Sequence, residues 1–168
     1  MKKLLLVLLV TTFGTITMYA QRVAVVEISR ILDSMDDYKK AQTQLDEQSA
    51  LWRQEINGEL DKVKGMYNKY QAELPLMNDE TKKKREDEIS AKEKEVRDLQ
   101  RERFGENGLL YKKQQDLVKP IQDKVYKAID NYATERGYDI ILDKSSATGI
   151  LFVNSTIDKT DDVLKKLK

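Results

Sequence analysis

The sequence predicts an α+β protein, a small β-containing base with a long antiparallel helical-hairpin arm. Three observations carry that prediction. Residues from about Asp36 to about Arg136 are densely charged and nearly free of helix breakers, apart from Pro75 and the polar turn around Asn78. Short apolar, β-branched runs flank this stretch on both sides. Charged residues make up 35% of the 168 and aromatics only 7%. That is too polar for a compact globule of this size, but it suits long helices with much exposed surface.

The N-terminus reads as a secretory leader over residues 1–20. Lys2 and Lys3 form a short basic region, Leu4 to Val10 an apolar core, and Thr11 to Ala20 a small polar stretch ending at Ala20-Gln21. Met18 departs from the small residue expected before the cut. The apolar run is much shorter than the ~20 residues a spanning helix needs, so the rest of the chain is expected to be exported.

The base is expected from 21–35 and 136–168. Val23-Ala24-Val25-Val26-Glu27-Ile28 reads as a buried strand, and Ser29 is placed to cap a short helix from Arg30 to about Met35. Gly137 is a natural residue to end a long helix. Tyr138 to Asp143 then reads as a second strand, Lys144 to Gly149 as a loop, and Ile150 to Val153 as a returning strand. Thr160 is placed to cap a last short helix, with Asp161 and Asp162 in its first turn and Lys165, Lys166 and Lys168 near its end, as the helix dipole favours. Asn154-Ser155-Thr156 fits the glycosylation pattern and equally a polar turn.

The arm is expected over 36–135 with its tip near 75–79. Apolar or bulky residues recur at Tyr38, Ala41, Leu45, Trp52, Ile56, Leu60, Val63, Tyr67, Tyr70 and Leu74. The steps of four at Trp52, Ile56 and Leu60 break a strict heptad and relax any supercoil. Asn57-Gly58 marks a weak point there. Pro75 ends the first helix and Asn78 or Asp79 caps the second. The second helix opens almost wholly charged, with i,i+4 pairs at Lys82–Glu86, Lys83–Asp87 and Lys84–Glu88. Its seam is thinner: Ile89, Val96, Leu99, Phe104, Leu110, Leu117, Ile121. Counting from the turn, Leu60 should face Glu93 and Leu45 should face Gly108. Gly105 and Asn107-Gly108 allow bending, and Pro120 predicts a kink or a break.

The chain has no Cys and no His, which removes disulfides, thiol nucleophiles, His bases and Cys/His zinc sites together. Its carboxylates alternate with Lys and Arg along exposed helices rather than converging in a dry pocket. No catalytic residue, metal ligand or cofactor is expected, and the protein reads as a non-enzyme. The formal charge is +1, and about −1 without Lys2 and Lys3, against the basic excess of a nucleic-acid binder. Binding is the better prospect. About three short strands per chain leave open sheet edges that oligomerisation would pair; the candidates are Val23, Val25, Val26, Ile28, Ile140, Leu142, Ile150 and Phe152. Apolar groups on the arm suit loose contact with apolar segments of other proteins; the candidates are Leu45, Trp52, Ile56, Leu60, Met66, Tyr67, Tyr70, Leu74, Leu76 and Met77.

Three segments resemble the Skp (OmpH-like) family of periplasmic chaperones. They are Val23-Ala24-Val25-Val26 running into Ser29-Arg30-Ile31-Leu32, the stretch Leu117 to Asp143 with Pro120-Ile121 and Gly137-Tyr138-Asp139-Ile140-Ile141-Leu142-Asp143, and the end Asp158 to Lys165. The resemblance implies a homotrimer in which strands of three chains complete a barrel and three arms enclose a cavity. It implies an ATP-independent periplasmic holdase for unfolded outer-membrane β-barrel proteins. Separately, the basic run Lys82-Lys83-Lys84-Arg85 near the tip is a candidate for weak contact with acidic head groups at a membrane surface, against the plainer reading of a solvated helix. The alternative is a structural or scaffold coiled-coil protein of the cell envelope that binds one folded partner.

Overall fold

The computed structural model describes residues 21–146 and 149–167; the leader expected over 1–20 lies outside them. The chain divides into two compact units, one of residues up to 28 with 128 onward, the other of 29–127.

In the first unit, β1 (Val23–Val26) pairs in parallel with β2 (Ile140–Asp143), Val23 opposite Ile140 and Val26 opposite Asp143. Parallel strands require a long crossover, and here the crossover is the helical part of the chain. The other edge of β1 is occupied by residues 157–159. The Val25 N–H donates to the Ile157 carbonyl at 2.9 Å, and the Lys159 N–H donates to the Val25 carbonyl at 2.8 Å. The expected third strand is absent: Ile150 to Val153 is irregular. With β1 paired on both edges inside the chain, no free strand edge of β1 is left for that segment.

A short helix α1 (Ile28–Asp33) starts two residues earlier than expected, so Ser29 lies inside it rather than capping it. The orphan N–H of Ile28 is taken by the Asp143 carboxylate at 3.2 Å, from the end of β2. The C-terminal helix α5 (Thr160–Leu167) is likewise served by a neighbour. Asp158 Oδ1 accepts the Thr160 N–H at 3.0 Å. The Thr160 hydroxyl is buried; it accepts the Glu27 N–H at 3.0 Å and donates to Asp158. Lys144 completes this knot by bridging Glu27 at 2.9 Å and Asp158 at 2.8 Å. Burial pushes the Asp158 carboxyl up, but the Lys144 ammonium and the two Thr160 donors outweigh it and hold it at about 2. Asn154 is used as a turn, its side chain accepting from the Thr156 N–H and hydroxyl.

The second unit contains the hairpin. Helix α2 (Asp36–Glu73) runs without interruption through Gly58 and Gly65. Pro75 ends it in a 3₁₀ turn, Leu74–Leu76, and α3 (Asp79–Phe104) starts at an Asn78 cap whose Oδ1 accepts the Thr81 N–H at 2.8 Å. Helix α4 (Leu109–Arg136) crosses into the first unit's residues and ends in the left-handed Gly137, φ +66°, as expected. The Tyr138 N–H closes back on the Ala133 carbonyl at 3.0 Å.

The expected break at Pro120 falls instead at Gly105–Gly108, between α3 and α4. A Cβ at Gly105 would collide with the Arg101 carbonyl, and one at Gly108 would come within 2.9 Å of the Glu102 carbonyl. Only glycine allows that approach. Pro120 stays inside α4, where Leu117, Val118 and Ile121 pack around it against Ala41 and Leu45. This break also shifts the pairing. Leu45 clusters with Val118 rather than Gly108, a ten-residue shift to which the four non-helical residues 105–108 contribute only part.

Candidate functional site

The hairpin seam consists of two separate apolar clusters. Near the chain ends of the hairpin, Ala41, Leu45 and Val118 are buried, with Tyr38, Leu110, Leu117 and Ile121 against them. Toward the tip, Ile56, Val63 and Val96 are buried, with Leu99 and Phe104 against them. Ile89 is also buried. Of the 26 residues of α3, Ile89 and Val96 alone are buried. At roughly 1.5–3 kcal/mol per buried aliphatic side chain, this is a thin apolar contribution for helices of such length.

Polar groups bridge the rest of the distal seam. Glu59 accepts from Lys62 at 2.7 Å and reaches Lys92 on the other helix at 2.7 Å. The Lys62 ammonium, then that of Lys92, holds the Glu59 carboxyl down at about 2. The Tyr67 hydroxyl donates to Glu93 at 2.9 Å and the Tyr70 hydroxyl donates to Glu86, which raises both phenols above the ordinary tyrosine range. Arg103 reaches Glu55 at 3.5 Å. The expected i,i+4 pairs at the start of α3 give way to Lys82–Asp79 and Arg85–Glu88. Glu86 is already engaged by Tyr70. An open, largely acidic cleft of about 590 Å³ runs beside this zone, lined by Glu55, Glu59, Glu95, Asp98 and Glu102 among others.

At the edge of the tip-side cluster nearest the Gly105–Gly108 break stands an aromatic clamp. Trp52 meets Phe104 edge-on with ring centroids 6.2 Å apart, Arg103 lies over Trp52 and Arg53 over Phe104.

The candidate arm residues therefore fall into three sets. Leu45 and Ile56 are 6% and 5% exposed and lie inside the seam, closed to any partner while the hairpin is shut. Trp52, Met66, Tyr70 and Met77 are half-buried. Leu60, Tyr67, Leu74 and Leu76 are exposed, Leu76 at 89%. Leu51, Tyr111 and Tyr126 are exposed as well and were missed, since each lies off the heptad seam that guided the choice.

The base candidates divide similarly. Val25 and Val26 are buried within the chain, and Val23, Ile28 and Ile150 are half-buried. Ile140 and Leu142 are exposed on one face of β2. Phe152 is 84% exposed and its neighbour Leu151 99%. Leu151 was overlooked because strand alternation singled out Ile150 and Phe152, and this segment is not a strand.

Among the described residues, no group of three or more acidic side chains is arranged to hold a metal ion, and no helix is long and apolar enough to cross a membrane.

The fold is similar to solved structures. An outer membrane chaperone (OmpH-like) from Caulobacter crescentus CB15 superimposes with a TM-score of 0.67 at 16% identity, over 92% of this chain and 88% of that one. The chaperone protein Skp of Pectobacterium atrosepticum is 26% identical over 154 residues, covering 89% of this chain and 87% of its own. The Skp of Yersinia enterocolitica is 23% identical over 149 residues, with the same coverage. A family profile described as outer membrane protein (OmpH-like) matches residues 22–167, and by that match across nearly the whole described chain the protein belongs to the OmpH-like family.

Proposed function

We propose that this protein is an ATP-independent holdase of the periplasm that keeps unfolded outer-membrane β-barrel proteins from aggregating. The observation that carries the reading is the large apolar side chains left in solvent along a highly charged hairpin: Leu60, Tyr67, Leu74 and Leu76. Apolar contact is non-directional, so such side chains would bind apolar segments weakly and without demanding one sequence. The relatives named Skp are chaperones, which supports the same reading. The exposed Ile140, Leu142, Leu151 and Phe152 supply the surface for assembly into a homotrimer.

The mechanism needs no bond chemistry. Many weak contacts hold the client, and release follows when the client folds elsewhere, because folding withdraws the apolar segments that were bound.

Light scattering tests it. A urea-unfolded outer-membrane barrel, diluted into buffer, should stay clear at one trimer of this protein per client. Unchanged turbidity at a several-fold excess would refute the holdase reading. Capture of a single folded envelope protein, with no effect on turbidity, would favour a scaffold instead.

A further inference from the structure

The two flanks of the distal hairpin differ in chemistry. Ile56 and Val63 lie in the seam, and Leu60, Tyr67 and Leu74 repeat at the same interval, four residues further on. Four residues carry the helix about 40° past a full turn, so this row runs beside the seam on one flank. Its members are 44%, 42% and 38% exposed. The Tyr67 hydroxyl, donating to Glu93, ties the middle of the row to α3. Glu55 and Glu59 lie roughly 60–100° round α2 in the other direction from Ile56. On that flank they line the acidic cleft with Glu95, Asp98 and Glu102. Helix α3 offers no large apolar side chain to either flank, because Ile89, Val96, Leu99 and Phe104 are buried or packed against the seam.

We propose that the arm is one-sided: the closed hairpin binds apolar segments of an unfolded polypeptide on the flank of Leu60, Tyr67 and Leu74, and keeps its acidic flank in water. The proposal rests on the holdase reading and names one side of the arm for it. The size of the row selects its occupant. A stable folded interface buries on the order of 1,200–2,000 Å². Even a fully buried aromatic side chain covers only about 150–250 Å², and these three are already more than half covered. The row is therefore too small for a second folded copy of the chain. An unfolded polypeptide needs no such area in one place, since it can touch this row and other apolar side chains elsewhere. Contacts seven residues apart on a helix are about 10.5 Å apart along its axis, which roughly three residues of extended chain span. A client held there meets the row one side chain at a time. The other flank is closed to it, because covering Glu55, Glu95, Asp98 and Glu102 with an apolar segment would strip water from each charge.

The chain has no cysteine, so Leu60→Cys and Glu95→Cys each accept a single thiol-directed photo-cross-linker. A urea-unfolded outer-membrane barrel, diluted into either labelled protein, should attach several-fold more to position 60 than to position 95. Equal attachment overturns the proposal. So does a label at position 60 that attaches to a second copy of the chain in preference to the barrel. Turbidity gives a second readout. Leu60→Gln with Tyr67→Gln and Leu74→Gln should need about tenfold more protein to keep the barrel in solution, a loss of about 1.4 kcal/mol of contact. Glu95→Gln with Asp98→Asn and Glu102→Gln should match the wild type. A row variant with an unchanged circular dichroism spectrum that performs like the wild type overturns the proposal, and cross-linking at the single sites decides even where the triple variant loses helix. Failure of the wild type itself to keep the barrel in solution would instead sink the holdase reading.

Discussion

If the proposed homotrimer forms through these side chains, replacing Leu151 and Phe152 by serine should convert it to monomer without unfolding the chain. At 99% and 84% exposure these side chains contribute almost nothing to the single chain's own packing. Their full burial in an assembly is worth about 1.5–3 kcal/mol each, so about 3–6 kcal/mol per interface. At 1.4 kcal/mol per tenfold, the association constant falls by roughly a hundredfold to ten-thousandfold at each interface. Light scattering coupled to size exclusion reads the mass at micromolar concentration, and far-UV circular dichroism reads the helix content. The expected pair of results is a threefold drop in mass with an unchanged spectrum. An unchanged mass would refute the reasoning, because side chains of this size cannot be buried in an interface and then be dispensable to it. A collapsed spectrum would refute it equally, since it would show that the pair supports the chain itself.

Two further substitutions probe elements that the structure explains. Asp158→Asn weakens the Lys144 bridge that ties Glu27 to the start of α5. The Asp158 carboxyl is depressed to about 2 from an ordinary value near 4, so its contribution is fully present above pH ~4 and is lost as pH falls toward 2. After allowing for solvent screening, the loss is about 1 kcal/mol at neutral pH. Urea titrations at pH 7 and pH 2.5 should show a mutant deficit at the first and little at the second; equal deficits would count against the linkage. Asn78→Ala removes the acceptor for the Thr81 N–H and should cost about 1 kcal/mol in local stability at the tip, read as faster amide exchange over the first turn of α3.

Much of the fold was legible because the relevant signals are local. Pro75, Asn78 and Gly137 act on the backbone within a few residues of themselves, and all three do what their chemistry predicts. The misreadings arose where the deciding partner is remote in sequence. Ser29 is a good cap by type, but Asp143, 115 residues away, holds the first N–H instead. Thr160 is also a good cap by type, yet its hydroxyl is taken by the backbone of Glu27, 133 residues away. Ile150 to Val153 has a strand's composition, but the edge of β1 it would extend is used by 157–159. Pro120 looked like the stronger breaker than Gly105, but the cost of one missing hydrogen bond is local, whereas the packing of Leu117, Val118 and Ile121 is cumulative. In the candidate site, periodicity marked the seam correctly but could not separate its interior from its flanks. Leu45 and Ile56 share the pattern with Leu60 and Tyr67, and a rotation of a fraction of a turn decides which are covered.

The same thin seam limits how tightly the hairpin can close. The exposed tyrosine–carboxylate bonds at Tyr67 and Tyr70 contribute about 1 kcal/mol apiece, while the Glu59–Lys92 pair is half-buried. Apolar residues at those positions would close the distal half more firmly, and the helices would tolerate them. On the proposed holdase reading, charge where a coiled coil would place leucine keeps the arm soluble between its exposed apolar side chains, a compromise between stability and activity.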